Sequence, residues 1–181
     1  MSLEELSKEG KLKRHKTSKE EIKNLIKVIK RDIQDSQVKG LSTDRKFAIA
    51  YNAVLQSATI LLYCEGYRAK GIGHHYTVFQ TMKDILGGKY KKLADYFDSC
   101  RVKRNTAFYG YAGIISEKEE NELIDEAENF LDIVIKWLKK NYTEYIEKVW
   151  YFKKSDLSVL WSWFLGAYID DRFYQEFLSE L

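Results

Sequence analysis

Two arginines near the middle of the chain fall where a predicted helix should present its buried face. The apolar stripe of that helix continues by helical spacing beyond Phe97 to Arg101 and Arg104. A guanidinium on such a face is costly unless it is paired or lines a cleft. Arginine in a cleft can hold a phosphate through charge-assisted hydrogen bonds. The spacing therefore predicts either structural ion pairs with Asp95, Asp98 or carboxylates of the next helix, or an anion site in a groove.

Two adjacent histidines, His74 and His75, open the preceding helix of the predicted fold. Helices over 74–86 and 89–108 must form an antiparallel hairpin across Gly87-Gly88. Counting back equally from that turn places His75 opposite residue 100 or 101, at the arginine end of the hairpin. A helix start attracts anions and lowers a histidine pKa, although a histidine there is more often a plain capping or surface residue.

The elements that must position these residues are predicted to be helices. The 181-residue chain contains no proline, and its apolar residues recur at helical spacing. Ser18 with Glu21 and Ser116 with Glu119 have the spacing of capping boxes. We therefore expect an all-α, up-down antiparallel bundle of about five helices, over residues 18–39, 43–65, 74–86, 89–108 and 116–141.

The two ends of the chain differ from the bundle in composition. Residues 1–17 are polar and basic, and we expect a flexible arm; if residues 8–19 contact phosphates, deleting them should weaken RNA binding. Residues 142–181 are rich in aromatic side chains at helical spacing and predict a helical extension. Cys64 and Cys100 lie within apolar helical patterns and are expected to be reduced core residues.

Three stretches resemble the HEPN superfamily (higher eukaryotes and prokaryotes nucleotide-binding). They are the run Arg-x-x-Arg-Asn-x-x-x-Tyr-Gly-Tyr at 101–111, the stretch Gly66–His75 and the sequence Ala50-Tyr51-Asn52. The resemblance covers residues 18–140. It implies a homodimer in which the ends of the fourth predicted helix converge, so we expect Arg104 of each copy to lie near the two-fold axis.

The resemblance also implies a chemistry, the metal-free cleavage of RNA. Active members place a histidine four to six residues after an arginine that is often followed by a polar residue. The histidine moves a proton, and the arginine neutralises the phosphate. Arg104 and Asn105 match this pattern, but Tyr109 stands at the histidine position, and tyrosine is a poor base at neutral pH. His75 is the candidate to replace the missing histidine.

Further residues are predicted to bind RNA or a nucleotide. Arg101, Lys103, Arg104 and His74 supply positive charge or hydrogen bonds near the candidate site. By resemblance to toxin–antitoxin members, Tyr111 is the position at which a partner nucleotidyltransferase adds a nucleotide.

The leading functional hypothesis is an RNA- or nucleotide-binding protein of a defence or toxin–antitoxin system, with endoribonuclease activity as an open question. The alternative is a non-catalytic module that binds a nucleotidyltransferase or another protein through its aromatic tail. Composition predicts a cytoplasmic protein with no membrane partner, no metal and no cofactor.

Overall fold

A computed structural model describes residues 2–146, apart from the side chains of Phe108 and Tyr109. Most of the predicted C-terminal extension, residues 147–181, lies outside the described residues. A 3-10 turn at Gly88–Tyr90 precedes the fifth helix, and another at Thr143–Tyr145 follows the sixth. Within residues 2–146 the elements are α1 (Leu3–Lys8), β1 (Leu12–Arg14), α2 (Lys19–Ser36), α3 (Thr43–Cys64), β2 (Tyr67–Ala69), α4 (His74–Leu86), α5 (Lys91–Tyr109) and α6 (Glu117–Asn141).

Helix α3 is the centre of the bundle and packs against α2, α4, α5 and α6. Three phenylalanine rings connect α4, α5 and α6. The Phe97 ring centroid lies 5.9 Å from that of Phe79 and 5.1 Å from that of Phe130. The apolar stripe of α3 is buried along its length. The all-α bundle that the periodicity predicts is therefore confirmed, and both cysteines are buried free thiols as expected.

Helix ends follow the capping residues in the sequence. The hydroxyls of Ser18, Ser42 and Ser116 accept from the backbone N–H three residues later. In return, the Glu119 carboxylate accepts a hydrogen bond from the Ser116 backbone N–H, which completes the predicted capping box. Helix α2 ends at Ser36, three residues before the predicted end, and Lys89 belongs to the 3-10 turn.

The N-terminal segment differs from the flexible arm that the sequence predicts. It forms helix α1 and strand β1, and β1 pairs antiparallel with β2 so that Lys13 lies opposite Arg68. Leu6 and Leu12 are buried, which anchors the segment to the bundle. Elements of six and three residues are too short to show a periodic pattern, and their packing partner is distant in sequence.

Helix α3 is long and apolar enough by composition to cross a bilayer, although 67% of its most apolar window is buried inside the fold. A central helix of a globular bundle has the same properties, so this feature is weak evidence for a membrane span. Beyond α6, the Tyr142 hydroxyl donates to Glu65 at 3.1 Å, so the chain stays attached to the bundle past the predicted boundary at residue 141.

Candidate anion-binding site

The hairpin of α4 and α5 brings the start of α4 beside the last turns of α5. Gly87 permits the reversal because its φ of 97° lies in the left-handed region that favours glycine. At the open end of the hairpin, the Arg101 guanidinium lies 5.8 Å from the centroid of the Tyr76 ring. The counting of residues from the turn thus predicted correctly that this end of α4 faces Arg101.

His75 is the residue on which the charges of the site converge. It is half-buried, and its Nδ1 lies 3.0 Å from the Tyr51 hydroxyl of α3. Burial and, after it, the positive charges of His74, Arg104 and Arg101 together lower the His75 pKa to about 4. His75 is therefore a neutral imidazole at pH 7.

Tyr51 completes this arrangement from the central helix. Burial raises the pKa of its hydroxyl, while the charges of Arg101 and Arg104 act in the opposite direction. The hydroxyl therefore stays protonated, and Tyr51 and His75 form a neutral hydrogen-bonded pair. If Tyr51 donates to Nδ1, Nε2 of His75 carries the proton and is a donor. If Nδ1 donates to Tyr51, Nε2 is an acceptor and a potential base.

Arg101 and Arg104 have different surroundings. Arg101 is 23% exposed and its Nε donates to Asp98 Oδ1 at 2.6 Å, which is one of the ion pairs that the sequence allows. Arg104 is half-buried, and its Nη1 lies 3.3 Å from the Asn105 side-chain oxygen. Asp98 thus partly compensates the charge of Arg101, and the charges of both arginines act on Tyr51 and His75.

The backbone at the start of α4 adds hydrogen-bond donors to the site. The N-cap residue is Gly73, in the left-handed conformation with φ of 81°, and no side chain caps this end of the helix. The N–H groups of the first turn of α4 therefore donate to no capping side chain, whereas those of α2, α3 and α6 donate to a serine hydroxyl. His74 is exposed; its Nδ1 lies 3.1 Å from the Gly71 carbonyl oxygen, and its ring packs edge-on to His75.

Other predicted site residues lie apart from this cluster. Lys103 forms an ion pair with Glu119 of α6, so its ammonium is directed to that helix and away from His75. Tyr111 is 72% exposed in the loop between α5 and α6. The Asp44 carboxylate holds this loop by accepting from the N–H groups of Gly113 and Ile115 at 2.5 Å and 3.2 Å. The Tyr109 side chain lies outside the described residues.

A second polar cluster lies between α2 and α3, around the buried carboxylate of Asp32. The Asp32 carboxylate accepts from the Asn52 amide and from Arg31 Nη2, the latter at 2.6 Å. These groups satisfy one another, as a packed interior requires. No group of three or more His, Cys, Asp or Glu placed to hold a metal ion occurs among the described residues.

Sequence reasoning did not assign a role to Tyr51 or Tyr76. Tyr51 belongs to the buried stripe of α3 and to one of the stretches that resemble HEPN proteins, but only the crossing of α3 and α4 brings its hydroxyl to His75. Tyr76 follows the histidine pair directly and is 47% exposed beside Arg101. It lies three residues before the buried Phe79, so the helical phase of α4 places it near the inward stripe and does not predict this exposure.

Comparison with known protein families, curated proteins and solved structures finds no match to this chain.

Proposed function

We propose that this chain is a HEPN-like protein that binds the phosphate of RNA or of a nucleotide at the open end of the α4–α5 hairpin. The observation that carries the proposal is the convergence of two arginine charges on a neutral, half-buried histidine at a helix start without a side-chain cap. Guanidinium groups and helix N-termini are both donors that suit phosphate oxygens.

The roles of the three side chains follow from their surroundings. Arg104 is the principal phosphate ligand in this proposal, because it is half-buried and its charge acts on both Tyr51 and His75. Arg101 contributes less because Asp98 shares its charge. His75 offers Nε2 as a donor or as an acceptor, according to the tautomer that its bond to Tyr51 selects.

The second part of the proposal is that the same site cleaves the RNA that it binds. His75 would exchange a proton with the 2′-hydroxyl or the leaving oxygen, and Arg104 would neutralise the charge that develops on the phosphate. A bound phosphate raises the His75 pKa toward neutrality, because it offsets the two arginine charges that lower it. Asn105 would orient Arg104, and Tyr109 would contribute a hydroxyl where active relatives have histidine.

Dimer formation and a protein partner are part of the proposal too. The dimer is what the HEPN resemblance implies, with the ends of α5 from two copies in contact; Val102, which is 52% exposed next to Arg101, would lie in that contact. The exposure of Tyr111 suits the addition of a nucleotide by a partner nucleotidyltransferase. Light scattering on the purified protein measures its molar mass in solution. A monomer that binds RNA would contradict the proposed dimer. The alternative function, protein binding through the aromatic tail, concerns a segment of which residues 147–181 lie outside the described part of the chain.

The proposal is tested by binding of uridine monophosphate and oligouridylate to variants of the two arginines. Arg104→Ala should lower affinity for both ligands by about 10- to 100-fold, the range for a lost hydrogen bond to a charged group. Arg101→Ala should cost less, and Asp98→Asn should raise affinity a few-fold because it releases Arg101.

Lys91→Ala is the matched control, because Lys91 is exposed at the far end of α5. Circular dichroism shows whether each variant is folded. Equal affinities of wild type and a folded Arg104→Ala variant would refute the proposed site.

A further inference from the structure

The antiparallel pair β1–β2 carries a row of cations on one face. Lys13 lies directly opposite Arg68, and Lys70 donates its backbone N–H to the Lys11 carbonyl at 3.0 Å, which extends the pairing by one step. Alternate residues of a strand point to the same face. The exposed side chains of Lys11, Lys13, Arg68 and Lys70 therefore share one surface, here called the basic ribbon face.

The opposite face of the pair is buried in the bundle. Leu12 and Tyr67 are almost fully covered, and the Arg14 guanidinium lies 4.4 Å from the Tyr67 ring centroid. This packing fixes the orientation of the pair, so the basic ribbon face must point outward.

Like charges are concentrated on this face with little compensation. Lys11 pairs with Glu9 at 2.7 Å, but Lys13, Arg68 and Lys70 form no ion pair within residues 2–146. Like charges directly opposite one another on a strand pair destabilise it. A polyanion bound across Lys13 and Arg68 would remove that cost.

The basic ribbon face is also close to the α4–α5 site along the chain. His74 is four positions after Lys70 along the chain, which limits the distance between their α-carbons to about 14 Å. The linking segment exposes Ile72 fully, and the half-exposed Tyr76 ring follows on α4. These side chains offer surfaces on which unpaired bases can pack or stack.

We infer that the basic ribbon face is a second phosphate contact, which holds a single-stranded nucleic acid whose neighbouring nucleotide occupies the α4–α5 site. The inference rests on the function proposed for that site. Same-face residues of a strand are about 6.8 Å apart, similar to the spacing of successive phosphates in an extended nucleic-acid strand. The ligand is then an oligonucleotide and not a mononucleotide.

The chemistry of this surface favours nucleic acid over an anionic lipid surface. Interfacial membrane binding requires an apolar face that enters the lipid. The apolar residues of the strand pair are buried beneath it, and Ile72 alone supplies little area. Proteins that bind single-stranded nucleic acid combine exposed cations with aromatic rings in this way.

The test compares two variants with the same change in charge. Lys13→Glu/Lys70→Glu alters the basic ribbon face, and Lys91→Glu/Lys92→Glu alters exposed lysines about 20 Å along α5 from Arg104. Fluorescence anisotropy measures binding of a labelled oligouridylate of about twelve nucleotides, and calorimetry measures binding of uridine monophosphate. The ribbon variant should lose about tenfold or more in oligonucleotide affinity and none for the mononucleotide.

The salt dependence provides a second readout. The slope of log affinity against log salt should become shallower by about 1.4 in the ribbon variant, about 0.7 for each of two lost phosphate contacts on a single strand. An equal loss in the Lys91→Glu/Lys92→Glu control would show a general charge effect and overturn the inference. So would wild-type binding of the oligonucleotide no tighter than the mononucleotide, equal affinity for an RNA duplex, or a preference for anionic phosphatidylserine vesicles over RNA.

The variants also separate this inference from the function proposed for the α4–α5 site. If Arg104→Ala weakens binding and the ribbon variant does not, the α4–α5 site stands and the ribbon contact is wrong. If the ribbon variant alone weakens binding, the ribbon surface binds nucleic acid, while the proposed α4–α5 site and its link to the ribbon are overturned.

Discussion

Two basic regions of this molecule hold positive charge in different ways. At the α4–α5 site the arginines are half-buried, and their charge is felt by Tyr51 and His75. On the basic ribbon face the side chains of Lys13, Arg68 and Lys70 extend into solvent. Charges interact strongly where water is excluded and weakly where it screens them.

The difference predicts a division of labour. The α4–α5 site should position one phosphate and should respond to pH, because its charges are coupled to a histidine. The basic ribbon face should add affinity for a longer strand and should respond to salt. Variants of both regions test this division, beginning with the one that has the largest expected effect.

The largest effect concerns catalysis at the α4–α5 site. By resemblance to the HEPN superfamily, Tyr109 stands at the position where active members have histidine. The ordinary pKa of tyrosine, about 10, makes it a poor base. Tyr109→His should raise the rate of RNA cleavage about 10²- to 10⁴-fold, the usual contribution of general acid–base catalysis. Cleavage of a fluorogenic RNA without added metal measures the rate.

Arg104→Ala in the Tyr109→His background should abolish the gained activity, because the phosphate loses its charge partner. Lys13→Glu in the same background should leave cleavage of a dinucleotide unchanged. Rapid cleavage by the wild-type protein would contradict the assumption that Tyr109 is a defect. His75→Ala would then be decisive, since loss of cleavage would identify His75 as the group that carries the proton.

The fold could be predicted from the sequence because its signals are local. The caps at Ser18 and Ser116 set the beginnings of α2 and α6. Counting equal numbers of residues on each side of the turn at Gly87 placed the start of α4 beside Arg101. Strands β1 and β2 could not be predicted in this way. They pair residues far apart in sequence, and three residues carry no usable period.

The candidate site could be predicted only in part. The sequence pointed to His75, Arg101 and Arg104, which do lie together, but it could not assign partners across helices. The hydroxyl of Tyr51 reaches His75 only because α3 crosses α4, and Lys103 turns to Glu119 because α6 packs beside α5. Contacts of this kind depend on packing geometry, which sequence spacing on a single helix does not contain.

An intermediate effect is expected from the pH dependence of His75. Its pKa in the folded protein is about 4, below the ordinary value of 6.5. Between these values the unfolded chain takes up a proton that the folded protein excludes, so stability should fall as pH drops from about 6.5 to about 4. Thermal unfolding at several pH values should show a smaller loss over this range in His75→Gln than in the wild type.

The same histidine distinguishes the two basic regions. Arg104→Ala removes a charge that lowers the His75 pKa, so an NMR titration should show that pKa rising. Lys13→Glu should leave it unchanged, because solvent screens the exposed lysine. An equal shift in both variants would mean that the regions are coupled electrostatically and would remove the basis for treating them separately.

The smallest effect concerns the stability of the strand pair. Lys13→Glu replaces a like-charge pair with an opposite-charge pair across from Arg68, which should stabilise the protein by about 0.2–1 kcal/mol. Lys11→Glu is the comparison variant: it also gains an opposite charge across from Lys70, but it loses the ion pair with Glu9 and places two carboxylates together, so its gain should be smaller. Urea unfolding measures both variants. A less stable Lys13→Glu protein would show that Lys13 and Arg68 do not repel each other. If the variant is more stable and yet binds the oligonucleotide more weakly, the cations face each other at a cost to the fold, and nucleic-acid binding accounts for that cost.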